Sequence, residues 1–209
     1  MNLSIDAHIQ QLQSVSQASL IVVSGPSGAG KGTIVNQALQ RLHDVRLSVS
    51  MTTRPPRPGE VEGQSYFFTD HAHFETLIEH GAFLEYARYN GNYYGTPKAF
   101  VMEALQAGQD VILEIEVQGA EQVRQNWAAR MVQIFVLPPS ETDLKARLTG
   151  RQTESPEAIA QRLEKVTQEC AQIPHYDYYI INDQLTDAVD DMLAIVRAER
   201  QKIKKESVL

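Results

Sequence analysis

Cysteine is almost missing from this chain. Cys170 is the single one among 209 residues, so no disulfide can form within the chain, which fits a reducing cytosol. No apolar run approaches the roughly 18 residues that span a bilayer. The opening stretch, MNLSIDAHIQQLQSVSQAS, lacks the basic start and continuous apolar segment of a secretory signal. Positive charge is scarce too: 19 Lys and Arg stand against 26 Asp and Glu, a net charge of −7. That balance argues against a broad nucleic-acid or membrane-surface face. No internal repeat and no low-complexity segment is visible. These absences fit a cytoplasmic globular protein, long enough to bury one sizeable core.

Short apolar runs rich in Val and Ile occupy 19–24, 46–50, 110–116, 131–137 and 177–181. Such runs suit strands of a parallel sheet covered on both faces. Helical spacing lies between them, in Ile34, Val35, Ala38, Leu39 and Leu42, and again in Val189, Met192, Leu193 and Val196. The alternation predicts a doubly wound α/β core, a central parallel sheet flanked by helices. Two segments depart from it. Residues 51–97, rich in Arg, Pro, Gly and Tyr, read as a small insertion mixing strand and helix. Residues 148–165 read as a helical lid, with Ser155 as N-cap and Pro156 at the first helical position. The division is therefore an N-terminal extension (1–18), a core (19–50 and 98–209) carrying the lid, and the insertion (51–97). Ile5, Ile9, Leu12 and Val15 fall roughly on one helical face. We read them as a surface-packed leader in preference to a subunit contact, because short helices are marginal alone.

The segment SGPSGAGKGT carries the first chemistry. Gly25 to Lys31 has the spacing G-x-x-x-x-G-K, after a strand and before a helix, which is the context of a P-loop. Glycines at Gly25, Gly28 and Gly30, with Pro26, Ser27 and Ala29 between them, let backbone N–H groups turn toward an anion. The helix N-terminus adds partial positive charge, and Lys31 reaches toward the outer phosphates of a nucleoside triphosphate. The hydroxyl residue that usually follows the lysine and ligates Mg²⁺ is replaced by Gly32, with Thr33 next. The ion is then expected to be held mainly by phosphates and water, with Thr33 or Glu114 nearby. The guanine-reading Asn-Lys-x-Asp run of signalling GTPases does not occur.

Further motifs follow. SVSMTTRPPRPGE (48–60) sets Arg54 and Arg57 among prolines, suited to bidentate phosphate contacts. GQSYFF supplies Tyr66, EYARYNGNYYGTP supplies Glu85, Tyr94 and Thr96, and LEIEVQGA supplies Glu114 and Glu116, two apart and so on one side of a strand. Together with LPPSETDLKARLTGR, these stretches resemble the guanylate kinase family from residue 19 to about 200. The resemblance implies a P-loop core, a GMP-binding insertion and a lid, and transfer of the γ-phosphoryl group of ATP to GMP with Mg²⁺. By position it implies that Arg54, Arg57, Tyr66 and Tyr94 hold the GMP phosphate and that Ser50, Glu85, Thr96 and Glu116 read guanine. It further implies that Lys31, Arg147, Arg151 and Arg162 gather at the ATP phosphates, that Asn182 lies near adenine, and that Glu114 lies near the metal. It leaves open a homo-oligomer and use of dGMP.

The residue chemistry points the same way. Guanine presents two adjacent donors, which one carboxylate accepts at once; adenine has no such pair. The GMP phosphate is already ionised near neutral pH, so no general base is needed, and no obvious catalytic His or Cys is present. Arg147 and Arg151 are four apart on one helical face, with Leu144 and Leu148 free to face the core. Two positions depart from the family pattern: Glu116 replaces a usual Asp, and Gln152 replaces a usual glycine in the lid. His71 and His73 read as the start of a solvated helix, and Cys170 as packing near the last strand. Three rivals are weighed. A kinase acting on adenylate or thymidylate would not explain Glu85 with Thr96 and Glu116. A binding module of guanylate-kinase type would have lost Lys31. A sugar-phosphate kinase on the same scaffold would not need Glu85 with Ser50 and Thr96.

Overall fold

A computed structural model describes residues 4–14, 18–129, 131–149 and 156–203. In chain order its elements are α1 (Ile5–Ser14), β1 (Leu20–Ser24), α2 (Lys31–Leu39), β2 (Val45–Leu47), β3 (Met51–Thr52), β4 (Phe67–Phe68) and α3 (His71–Glu79). Next come β5 (Phe83–Tyr89), β6 (Asn92–Pro97), α4 (Lys98–Gln106), β7 (Asp110–Glu114), α5 (Val117–Asn126) and β8 (Met131–Leu137). The chain closes with α6 (Glu141–Thr149), α7 (Pro156–Cys170), β9 (Tyr178–Ile181) and α8 (Leu185–Arg200).

The main sheet has the order β2-β7-β1-β8-β9 with every pairing parallel. Strand alternation sends successive residues to opposite faces, and both faces are covered. Leu20, Val22, Val111 and Leu113 pack with Val101 and Ala104 of α4 and with Ala120 and Val123 of α5. Ile21, Val23, Ile112 and Ile134 pack with Ile34, Val35 and Ala38 of α2 and with Val189, Met192, Leu193 and Val196 of α8. The two helical stripes read from the sequence are thus the two that bury against one face of the sheet.

The insertion has its own four-stranded sheet, order β4-β3-β6-β5, with β3–β4 parallel and the other pairs antiparallel. α3 covers it. Phe74 is fully buried and stacks on Phe83 at 4.3 Å and on Tyr93 at 5.1 Å between ring centroids. The Asp70 carboxylate caps α3 by accepting from the His73 N–H at 2.8 Å. His71 and His73 both lie exposed in its first turn.

Several elements differ from their sequence reading. β2 is three residues long and leaves the sheet at Leu47, so Ser50 lies in a link whose carbonyl accepts from Phe67 N–H at 2.9 Å. β7 ends at Glu114, and Glu116 stands at the N-cap of α5. The in–out alternation outlasts the ladder, with buried Ile115 between exposed Glu114 and Glu116. α7 runs to Cys170, beyond the expected end of the lid, and begins at Pro156 as expected. Ser155, Arg151, Gln152 and Val15 lie outside the described residues. Arg162 is described only as a backbone position within α7, and the side chains of Leu12 and Leu148 are not described. Leu144 is buried, while Ile5 and Ile9 on α1 are exposed. No helix among the described residues is long and apolar enough to cross a membrane.

An ion pair between a buried carboxylate and a half-buried guanidinium ties the strand starts to the last helix. Asp110 is 2% exposed. Its Oδ1 accepts from Ser19 N–H at 2.7 Å and its Oδ2 from Arg200 Nε at 2.7 Å, while Arg200 Nη2 donates to the His43 carbonyl at 2.8 Å. Asp110→Ala removes the carboxylate from under the guanidinium and takes an acceptor from a backbone N–H. We expect a loss of about 3 kcal/mol, read as a lowered urea midpoint with unchanged slope. A shift of the midpoint no larger than that of an exposed control such as Asp190→Ala would contradict it.

Candidate active site

The glycine loop leaves the carboxyl end of the central strand and feeds α2, which starts at Lys31. Two neighbours set its shape. Gly25 has φ +141°, and a Cβ there would lie 2.1 Å from the Val136 carbonyl oxygen of β8, so no side chain fits. Gly30 is the N-cap in the left-handed region, φ +89°, and a Cβ there would lie 2.3 Å from Asn182 Nδ2. That same Nδ2 donates to the Ala29 carbonyl at 2.8 Å, while the Asn182 N–H donates to Leu137 O at 2.8 Å. The expected adenine-side residue is therefore a brace under the loop in this structure. Arg147 joins it, Nη2 donating to the Asn182 carbonyl at 3.0 Å.

Lys31 Nζ donates to the Gly25 carbonyl at 2.6 Å and to the Pro26 carbonyl at 3.1 Å. Burial depresses its pKa, against the opposing pull of Glu114, Glu169 and Glu116. A cavity of about 680 Å³ opens here, lined among others by Ser27, Gly28, Lys31, Thr33, Glu114 and Arg147. That volume is in the range of nucleotide and cofactor clefts. Burial raises the pKa of Glu114 and Lys31 lowers it, with burial the stronger.

The residues expected to hold the acceptor gather on and around the small sheet. Arg54 Nη2 pairs with Glu60 Oε1 at 2.7 Å, its Nη1 donates to the Pro55 carbonyl at 2.7 Å, and its guanidinium lies 5.4 Å from the Tyr66 ring centroid. Tyr66 meets Tyr94 edge-on at 6.0 Å. The Glu60 hydrogen bond, with help from Tyr94, raises the pKa of Arg54, and Glu60 is lowered in turn. Arg57 gives its N–H to Glu60 Oε2 at 2.7 Å and keeps its side chain exposed. Glu85 on β5 is buried at 8% exposure, and its Oε1 accepts from Thr96 Oγ1 of β6 at 2.7 Å. Burial raises its pKa, against the Thr96 hydrogen bonds.

Four contributors have no role in the sequence reading. Glu60 joins Arg54 to the Arg57 backbone, and only its place at the end of the arginine motif hinted at it. Gly119 in α5 lies against Glu85: a Cβ there would sit 2.9 Å from Oε2. Gln122, one turn on, clamps β5 next to that carboxylate, accepting from Tyr86 N–H at 3.1 Å and donating to the Tyr86 carbonyl at 3.0 Å. Lys165 of α7 donates to Glu116 Oε2 at 2.9 Å and lies 3.6 Å from Glu169. Burial alone would lower the Lys165 pKa, but the two carboxylates raise it. Nothing in the spacing of these residues announces a contact made across the fold.

A parallel sheet of this order, with a lysine-bearing glycine loop opening a helix at the carboxyl end of its central strand, defines a P-loop nucleotide-binding protein. The family model described as "Guanylate kinase" matches residues 17–199. The chain is 49% identical to the guanylate kinase of Desulfitobacterium hafniense strain Y51 over 187 residues, 90% of this chain and 93% of that one. It is 50% identical to that of Streptococcus agalactiae strain NEM316, covering 89% of each. The crystal structure of guanylate kinase from Anaplasma phagocytophilum superposes with a TM-score of 0.69 at 31% identity, covering 88% of this chain and 87% of that one. The chain belongs to the guanylate kinase family and is an enzyme, a nucleotide-binding kinase.

Gly119 supplies a test of the Glu85 geometry. In an ordinary helix Gly→Ala stabilises by about 1 kcal/mol. Here the new methyl meets a buried carboxylate, so Gly119→Ala is expected to give no such gain and to weaken GMP binding ~10-fold or more, an effect of about 1.4 kcal/mol. Calorimetric titration with GMP, alongside thermal unfolding, reads both. A stabilised variant with parental affinity would show that the contact is slack.

Proposed function

We propose that the enzyme transfers the γ-phosphoryl group of ATP to GMP, giving ADP and GDP, with Mg²⁺ bound to the triphosphate. The observation that carries the acceptor is Glu85: a carboxylate buried at 8% exposure beside Thr96, on a different sheet from the glycine loop. A carboxylate kept dry is costly unless donors meet it. Guanine brings two on one edge, whereas adenine at the same place leaves it unmatched. A site built on buried hydrogen bonds discriminates strongly for that reason. In this reading Ser50, Thr96 and Glu116 complete guanine recognition, and Arg54, Arg57, Tyr66 and Tyr94 take the GMP phosphate. Glu60 holds Arg54 with its guanidinium across Tyr66.

The donor side follows from the loop. In this reading the loop from Gly25 to Thr33, apart from Pro26, which has no N–H, and Ala29, whose N–H donates to the Pro26 carbonyl, offers backbone N–H groups to the triphosphate together with the start of α2. Lys31 exchanges its two carbonyl partners for phosphate oxygens. Arg147, with Arg151 and Arg162 from the lid, adds positive charge there, and Asn182 sets the floor. Among the described residues no group of three or more His, Cys, Asp or Glu could hold a metal by itself. A divalent ion would therefore take most of its ligands from phosphates and water, as Mg²⁺ readily does, with Glu114 on the same cavity wall. Bound there, the ion would neutralise charge on the transferring group. No side chain needs to remove a proton, because the GMP oxygen arrives ionised; catalysis is positioning and charge stabilisation.

The cations are spread over the loop, the insertion (51–97) and the lid (148–165). We propose that GMP draws the insertion inward and that ATP completes lid closure, excluding water. The reading places the enzyme in the cytoplasm and is compatible with dGMP as a further acceptor and with a homo-oligomer.

A panel of nucleoside monophosphates with ATP and Mg²⁺ tests the acceptor. GMP is expected to release ADP fastest and AMP at least ~10⁴-fold more slowly in kcat/KM; equal rates would overturn the reading. Glu85→Gln keeps the shape but loses one charged acceptor, and is expected to lower kcat/KM for GMP about 10- to 100-fold.

The raised pKa of Glu85 gives a pH signature. The carboxylate protonates at a higher pH than an ordinary one, and its protonated form accepts guanine's donors poorly. Guanosine, which carries no phosphate to titrate, should bind more weakly as pH falls from 8 to 5. Glu85→Gln should flatten that profile, and an unchanged profile in the variant would assign the titration elsewhere. For Lys31→Ala the expectation is loss of transfer by several powers of ten with GMP binding retained.

A further inference from the structure

Gly32 is the residue where the loop departs from the general pattern, in which a Ser or Thr hydroxyl after the lysine serves the metal. Its glycine is not demanded by the backbone. Unlike Gly25, Gly28 and Gly30, it has no positive φ, and it sits in the first turn of α2, where an ordinary side chain is allowed. The surroundings supply the reason. A Cβ at Gly32 would lie 3.2 Å from Glu114 Oε1 and 3.2 Å from Glu114 Oε2. A hydroxyl one bond further out would press on that carboxylate or displace it. Glu114 is the last residue of β7, beside the central strand in register with Val23, and its carboxylate reaches across to the start of α2. It lies on the cavity wall with Lys31, Thr33 and Arg147.

We propose that Glu114 provides the oxygen that a hydroxyl at position 32 would otherwise offer the divalent ion, and that Gly32 is bare so that this carboxylate can reach. The proposal rests on ATP being the phosphoryl donor. The donor set fits a hard divalent ion: one carboxylate, phosphate oxygens and water. The two positions then form a matched pair, a longer acid with no side chain opposite it. Restoring the hydroxyl alone does harm, because two oxygens compete for one space. Shortening the acid alone also does harm, because it withdraws from the space beside Gly32. Both changes together are compatible.

The test is a double-mutant cycle on metal uptake. Mn²⁺ binding to the protein saturated with a non-hydrolysable ATP analogue is read by electron paramagnetic resonance for the parent, Gly32→Ser, Glu114→Asp and the double variant. Each single change is expected to weaken Mn²⁺ binding ~10-fold, in the range of altered metal surroundings, and the double variant to return within about threefold of the parent, a strong positive coupling. Binding of the analogue with chelator present should be equal in all four. Glu114→Gln, which keeps length and removes charge, should also lose Mn²⁺ at least ~10-fold with an unchanged thermal midpoint. Gly32→Ser binding Mn²⁺ as tightly as the parent would overturn the proposal. So would a double variant weaker than either single one, or a parallel loss of metal-free analogue binding. A parent that fails to bind the analogue at all would instead refute ATP as donor, so the two failures are distinguishable.

Discussion

The glycine loop does not hold its own shape; it is held by the strand edges beyond it. Gly25 lies so close to the Val136 carbonyl that only a hydrogen fits, and the Asn182 amide supports Ala29 from below while closing off the space beside Gly30. These contacts come from the ends of β8 and β9, the half of the sheet formed last in the chain. The cradle therefore exists only when β1, β8 and β9 are in register. Lys31 is half of the same arrangement. It is half-buried among carboxylates, where desolvation weakens its hold on its proton, and it satisfies itself on two carbonyls of the loop. An incoming polyphosphate replaces partners already aligned, so little reorganisation is required of the protein.

The acceptor half obeys a different constraint. A carboxylate in a dry place must be positioned by neighbours that do not themselves neutralise it. Glu85 has Thr96 on one oxygen, the open face of Gly119 beside the other, and its strand clamped one residue on by the Gln122 amide. Two of these three come from α5, an element of the core, although Glu85 belongs to the insertion. The group proposed to read guanine is thus located by the joint between the two sheets. The arginine side of the insertion has its own clamp in Glu60, which fixes Arg54 and the Arg57 backbone. Lys165 of α7 pairs with Glu116 and with Glu169 on its own helix, so one exposed ion pair, Lys165–Glu116, links the lid helix to the face proposed for the acceptor. Pairs of that exposure are weak and easily exchanged, which suits an element expected to move.

Much of this architecture was legible along the chain. Continuous apolar strands and 3.6-residue stripes determine a parallel sheet covered on both faces, because burial on both sides leaves no polar alternation to read. The glycine loop is legible because its glycines and its lysine fall within seven consecutive residues, even though the contacts that hold their shape are not local. The arginines, tyrosines and carboxylates of the acceptor side were visible as residue types suited to phosphate and guanine, and their grouping followed from family resemblance. Strand ends were less legible. β2 is shorter than its apolar run, and Glu116 belongs to a helix start, because hydrogen-bonding partners end a strand and composition does not.

Only the tertiary structure decided the contacts made across sequence distance. Asn182 as a brace under Ala29, Gly119 and Gln122 as the mould and clamp of Glu85, and Lys165 across from Glu116 each join residues from separate elements. No periodicity encodes them, since each side chain is unremarkable on its own helix or strand. The same holds for Gly32. Along the chain it is a missing hydroxyl; in space it is the room taken by Glu114, whose strand lies beside the one that launches the loop. Composition and spacing along the chain set which elements form and which residue types are available. The packing of one sheet against α2, α5 and α8 decided which of them meet, because only close approach, at the scale of a single Cβ, separates an open position from an occupied one.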